Sequence, residues 1–352
     1  MRFHPAVMLV VAAAAAPAAR AQDSASVPAR HIISIGNYPN VVGLRFNYRD
    51  SGLQRVTGAN FTIWTPYDDE PRGTVRGFAV GLPLAGAGTV HGIATGIAGV
   101  AISRELTGIG VAPVGLGAGG RIKGIALGGI GVGAGGDVQG IAVGGVGAGV
   151  GGNIRGFALG GVGVGAGGNA TGILVGGVGA GVGGNLRGIA AGVVGIGAGG
   201  NARGLLIGGV GAGVGGNLTG IGIGGVGIGV GGNLRGLAIG GVGVGAGSSI
   251  DGVALSLGAV GSPTIRKVAI APVVMANRMD GLMIAGLSRL EKGGSMHGVS
   301  VAGVNAMRGE QRGLTIGIVN YARELDGMQF GLINIARNAS VKFLPIVNYH
   351  RK

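Results

Sequence analysis

The chain has no cysteine among its 352 residues. That excludes disulfides, thiolate metal sites and a cysteine nucleophile. It also leaves no residue that a lipid anchor could modify behind an export signal. Charged residues make up 11% of the chain and aromatic residues 4%, far from the composition of a disordered, highly charged chain. The aromatics are not interleaved with basic residues, so a stacking platform for single strands is missing and no nucleic-acid partner is expected. His4, His31, His91, His297 and His350 are scattered and lack metal-ligand spacing. Acids are few. Asp68, Asp69 and Glu70 form a short acidic turn beside Pro66 and Pro71, which reads as a solvated loop. No acidic nonapeptide of the calcium-binding β-roll kind occurs. The glycine strings contain GxGxxG by chance, with no helix after them. The expectation is a chain with no catalytic constellation, no metal and no cofactor, hence no enzyme.

Glycine is what the chain has in excess, 87 residues, or about a quarter. There is no Gly-X-Y period, so collagen is excluded. The formal charge is +14. Between Gly124 and Ile250 only Asp137, Arg155, Arg187, Arg203 and Arg235 are charged, whereas Ser262 to Lys352 carries twelve basic and five acidic residues. Such a surface suits anionic lipid head groups or polysaccharide. The plainer reading is solubility.

The N-terminus reads as an export signal over residues 1–21. Arg2 supplies the positive start, Ala6 to Ala16 is a short apolar run, and Ala19-Arg20-Ala21 is a small-x-small cleavage site. The run is too short for a comfortable membrane span.

A sixteen-residue unit dominates the middle of the chain, as in NIRGFALGGVGVGAGG from Asn153 and NARGLLIGGVGAGVGG from Asn201. A short fixed period names a repeat architecture before any chemistry is considered. A glycine ahead of the first apolar pair sets the register. It recurs at Gly77 and Gly92, then every sixteen residues from Gly92 to Gly252, and loosens through Gly281, Gly298, Gly313 and Gly327. Degenerate ends fit a solenoid, whose terminal units must cap the stack.

Within the unit Asn201 to Gly216, Val210, Ala212 and Val214 alternate with glycine, and period two means strand. Leu205 and Ile207 alternate one step out of phase with them. The apolar parity is therefore expected to switch across Gly208-Gly209, at a corner. Gly215-Gly216-Asn217 reads as a second corner of residues that accept positive φ. The expectation is an all-β fold, a β-solenoid of about seventeen short laps with two strands per lap. Each lap has a contour of roughly 53 Å, and stacking gives a rod on the order of 80 Å. The last two apolar positions trade size between laps, Val132/Ala134, Ala148/Val150, Val164/Ala166, Ala180/Val182, as close packing requires. Ile228/Val230 breaks the rule.

The competing expectation is an integral outer-membrane β-barrel, since paired units also repeat there. Glycine suits a polar lumen poorly, and the chain ends in NYHRK rather than an apolar aromatic strand. Membrane helices with glycine zippers fit the strict period of two still less.

Asn153, Asn169, Asn185, Asn201, Asn217 and Asn233 fall at one position. In a solenoid they stack into a structural ladder of amides. Two residues on, Arg155, Thr171, Arg187, Arg203, Thr219 and Arg235 form a second column. Arg155, Arg187, Arg203 and Arg235 are the candidate ligand ridge for an anionic polymer. The alternative is turn chemistry with one soluble edge.

The less regular ends, VVGLRFNYRD (41–50), VTGANFTIWTP (56–66), RGLTIGIVNYARELDGMQFGLINIARN (312–338) and LPIVNYHRK (344–352), carry a family signal. They resemble a family of bacterial surface-repeat proteins described from spirochaetes, with GLxxGLxN-type repeats behind a signal peptide. Gly313, Ile316, Gly317 and Asn320 match one repeat, and Gly327, Phe330, Gly331 and Asn334 the next. The central laps depart from the pattern, with glycine where the family has asparagine and larger apolar residues. The resemblance implies export and surface exposure, and no activity. The chain thus divides into a signal peptide at 1–21, an N-terminal cap or extra strands at 22–72, a regular glycine-rich solenoid at 73–261 and degenerate repeats with a cap at 262–352. The expected object is an exported repeat scaffold at the cell surface. Its expected partners are envelope polysaccharide, anionic lipid or a host surface.

Overall fold

The computed structural model describes residues 30–67 and 70–351, and they form a parallel β-solenoid. The segment expected to be an export signal, and Asp68 and Asp69 of the acidic turn, lie outside the described residues. Each regular lap contributes a long strand and a short one, such as Ala202–Gly208 and Gly211–Val214. Each strand pairs in parallel with its counterparts one lap before and one lap after, sixteen residues away. A closed barrel of antiparallel neighbours is not what forms, which overturns the barrel alternative. Among the described residues no helix is long and apolar enough to cross a membrane.

A positive-φ residue, glycine in nearly every lap, is the hinge of the lap. Gly204 sits within the long strand at φ +130°, a region essentially closed to side chains. A Cβ there would also overlap the carbonyl oxygen of Gly188 in the lap below. The same geometry recurs up the stack, and the structure extends the column beyond the glycines legible in the sequence. Ile32, Gly43 and Gly58 precede Gly77, and Lys267 fills the gap between Gly252 and Gly281 at φ +83°. From Gly43 to Gly327 the column climbs eighteen steps. Laps therefore run through both ends that the sequence marks as irregular.

The interior differs from expectation in one respect. Parity does not switch at the corner. Ala202, Leu206, Ala212 and Val214 point inward and are buried, while Ile207 and Val210 are exposed. The reason is space. Two strands joined by tight glycine corners leave a thin interior, and the inward position after the hinge is alanine in most laps, with Leu174 and Leu206 each set between alanine or glycine in the laps beside them. The corners themselves fall where glycine pairs were expected, but not because of positive φ. Gly215 and Gly216 have ordinary φ. A Cβ on Gly216 would lie 2.7 Å from Asn201 Oδ1, and one on Gly215 would overlap the carbonyl of Gly199.

The traded volumes are real core contacts. Ala148 stacks on Val132 and Val164, and Val150 on Ala134 and Ala166, all buried. The exception is compensated inside its own lap. Beside Ile228 stands Gly222, where the neighbouring laps place Leu206 and Ala238, and a Cβ at Gly222 would lie 3.0 Å from Ile228 Cδ1.

Both ends of the core turn polar. At the N-terminal end the buried Arg45 pairs with Asp50 and donates to Asn60 Oδ1 at 2.8 Å. At the C-terminal end buried Asn305 donates to Asn320 Oδ1 (2.8 Å) and Asn320 to Asn334 Oδ1 (2.7 Å). A final strand, Phe343–His350, runs antiparallel to Val319–Ala336. The reversed strand, which contains Pro345, ends the parallel ladder and blunts its edge.

Candidate functional site

The asparagine column forms the predicted ladder. From Asn153 to Asn217 each asparagine Oδ1 accepts two bonds from the next lap, from the backbone N–H at 2.8 Å and from the side-chain Nδ2 at 2.9–3.2 Å. The carbonyl of Asn201 in turn accepts the N–H of Leu186 at 2.8 Å. The corner backbone is thereby satisfied without a ligand. The ladder begins on Asp137, which accepts both bonds from Asn153, and ends on the Ser249 hydroxyl, which donates to Asn233 Oδ1 at 2.6 Å. These two bonds from Asn153, with Arg155 and Arg121 nearby, hold the Asp137 carboxyl below the usual aspartate range.

Each Nδ2 spends one hydrogen on the ladder and keeps a second. Two residues further along the strand, past a buried small or branched residue, the Arg155–Arg235 column points outward beside it. Together they line an open groove of about 730 Å³ over Asn169, Asn185, Asn201, Asn217 and Asn233, with Arg187, Arg203 and Arg235 along one side, Thr171 one lap before Arg187 and Thr219 between Arg203 and Arg235. Arg155 lies one lap before the groove's lining, on the same column.

The arginine column is part of a longer one, and its electrostatics change along the rod. Towards the N-terminus, Lys123 pairs with Glu105 at 3.1 Å, and Arg121 pairs with the same carboxylate at 3.3 Å. The Lys123 and Thr107 hydrogen bonds lead in holding Glu105 below its ordinary range. Towards the C-terminus, Asp251 pairs with Lys267 (3.0 Å), His297 approaches Asp280 (3.3 Å) and Arg312 faces Asp326 (3.7 Å). The middle is set apart by two adjacent arginines. Among the described residues no carboxylate lies within 4.0 Å of Arg155, Arg187, Arg203 or Arg235, and Arg76 and Arg266 on the same column likewise have none. Arg187 and Arg203 are direct neighbours in adjacent laps, about 4.8 Å apart along the backbone stack. Two unmatched guanidiniums held side by side concentrate positive potential at one place. The arrangement can bind anions.

A second concavity, about 1,380 Å³, lies where the Glu70–Arg72 segment borders the glycine strand at Gly117, Gly133 and Gly149, with Arg104 at its rim. Sequence reasoning missed it, because its walls are far apart in the chain. Among the described residues no group of three or more histidine, aspartate or glutamate side chains could hold a metal.

In comparisons with known proteins, no family model matches the chain, and neither a curated protein nor a solved structure matches it.

Proposed function

We propose that this chain is an exported, non-enzymatic repeat scaffold of the cell surface whose asparagine–arginine groove holds an acidic polysaccharide. The observation that carries the reading is the Arg187–Arg203 pair, neighbours in adjacent laps flanked on the column by Thr171 and Thr219, with no carboxylate of the described residues within 4.0 Å of either. A column serving only solubility has no need to concentrate unmatched cations in the middle. The free amide hydrogens beside them supply neutral donors at the lap spacing, and a polymer can follow such a row for five laps. The N-terminal residues with signal character and the GLxxGLxN-like ends support export and a surface setting.

The test is binding of purified protein to sodium alginate, with neutral dextran as control, across a salt series. Alginate binds at low salt and weakens as salt rises, and the Arg187→Ala/Arg203→Ala pair weakens it roughly tenfold without altering the fold. Binding that survives this double substitution, or no binding to alginate at low salt, contradicts the groove assignment.

A further inference from the structure

The outward side of the long strand is apolar, and nothing in the lap explains it. In each regular lap two outward residues beyond the hinge glycine are aliphatic or aromatic, such as Ile141 and Val143, Ile173 and Val175, or Ile221 and Ile223. The corner after them adds another, Val178 at 48% exposure and Val226 at 51%. These columns stack in register over the ten laps whose hinges run from Gly108 to Gly252, and no charged residue interrupts them. Six residues of contour by ten laps make a face of about 20 Å by 48 Å, or about 950 Å². Monomeric proteins rarely leave a contiguous apolar patch above about 600 Å² open to water. A standard interface buries about 800 Å² per partner.

We propose that this face packs against the same face of a second copy of the chain, giving a side-by-side dimer of rods. The area is sufficient. The spacing also selects the occupant. The face is ribbed at the lap repeat, about 4.8 Å, and a second copy has ribs at that same repeat, so the contact between the two recurs at every lap. Two such sheets pack about 10 Å apart. Charge selects the orientation. The arginine column borders the apolar face. A two-fold axis across the rods would bring the unpaired runs around Arg187 and Arg203 together. A two-fold axis along the rods leaves the two runs on opposite edges, screened from each other. The dimer is therefore parallel, like ends together, and both polar grooves stay open.

The absence of cysteine makes the orientation directly readable. Leu127 and Ile270 lie nine laps apart in the same outward column. In detergent-free buffer the purified protein sediments at twice its monomer mass. On mild oxidation, Leu127→Cys alone and Ile270→Cys alone each form a covalent dimer. The Ile173→Glu/Ile221→Glu protein keeps its β circular-dichroism spectrum and sediments as a monomer, since both side chains point outward. A monomeric parent protein overturns the proposal. So does a dimer unaffected by the two glutamates. Crosslinking only in a mixture of the two cysteine variants overturns the parallel arrangement. Flotation of the parent protein with phosphatidylglycerol vesicles, abolished by the same glutamates, assigns the face to lipid and overturns the second copy as its occupant.

Discussion

Glycine does three different jobs in each lap, and they are separable by substitution. Gly204 is required twice over, by a φ that side chains avoid and by the carbonyl of Gly188 where a Cβ would go. Gly216 is required by its neighbour, because the Asn201 side chain passes through the space a Cβ would take. Gly213 is not required, since a Cβ there meets nothing within 4 Å and φ is not positive. Gly204→Ala is therefore expected to cost about 3 kcal/mol or more. Gly213→Ala is expected to be neutral or to stabilise by about 0.4–1 kcal/mol through the unfolded chain. Urea unfolding midpoints of the two variants measure this, and equal effects would refute the assignment. Ile32 and Lys267 show that the hinge tolerates a side chain at two places, and at Lys267 the ammonium is held by Asp251 in the lap before. A lysine at that position also hides a whole lap from any column traced by glycine identity.

At the level of the strand and the ladder, much is legible in the sequence. The period, the two corners, the asparagine column and the traded volumes all emerge from reading equivalent positions down the stack. The direction of the side chains does not. Leu205, Leu206 and Ile207 are consecutive and all apolar, so hydrophobicity alone cannot choose between the faces. The thin core takes Leu206, and only beside Ala190 and Gly222. The groove's chemistry is half legible. Its arginines stand out, but their lack of partners depends on where Glu105, Asp251 and Asp280 fall in three dimensions. The start of the ladder makes a pH prediction. Asp137 has a folded-state pKa lowered by the two bonds from Asn153. Its contribution is full above the ordinary aspartate pKa and is lost as pH falls through the lowered one. The parent protein should exceed Asp137→Asn in thermal midpoint at neutral pH, because the ionised acceptor makes the stronger bonds. The gap should close in acid. A gap that does not change with pH would mean that the charge at Asp137 plays no part in the ladder.

For the whole molecule, the consequence of lap-on-lap pairing is that length is a sum of identical increments. Each lap contacts only its neighbours, so stability and length should both scale with lap number. The most direct test removes residues 185–216, two complete laps that begin at Asn185 and end at Gly216, joining Gly184 to Asn217 in the same register and preserving the alternation of core volumes. Solution X-ray scattering of parent and shortened chains compares their maximum dimension and cross-section. A parallel solenoid predicts a particle of the same cross-section, shorter by about 10 Å. An unchanged length, or a cross-section that shrinks instead, would contradict the stacked-lap architecture on which the groove and the apolar face both depend.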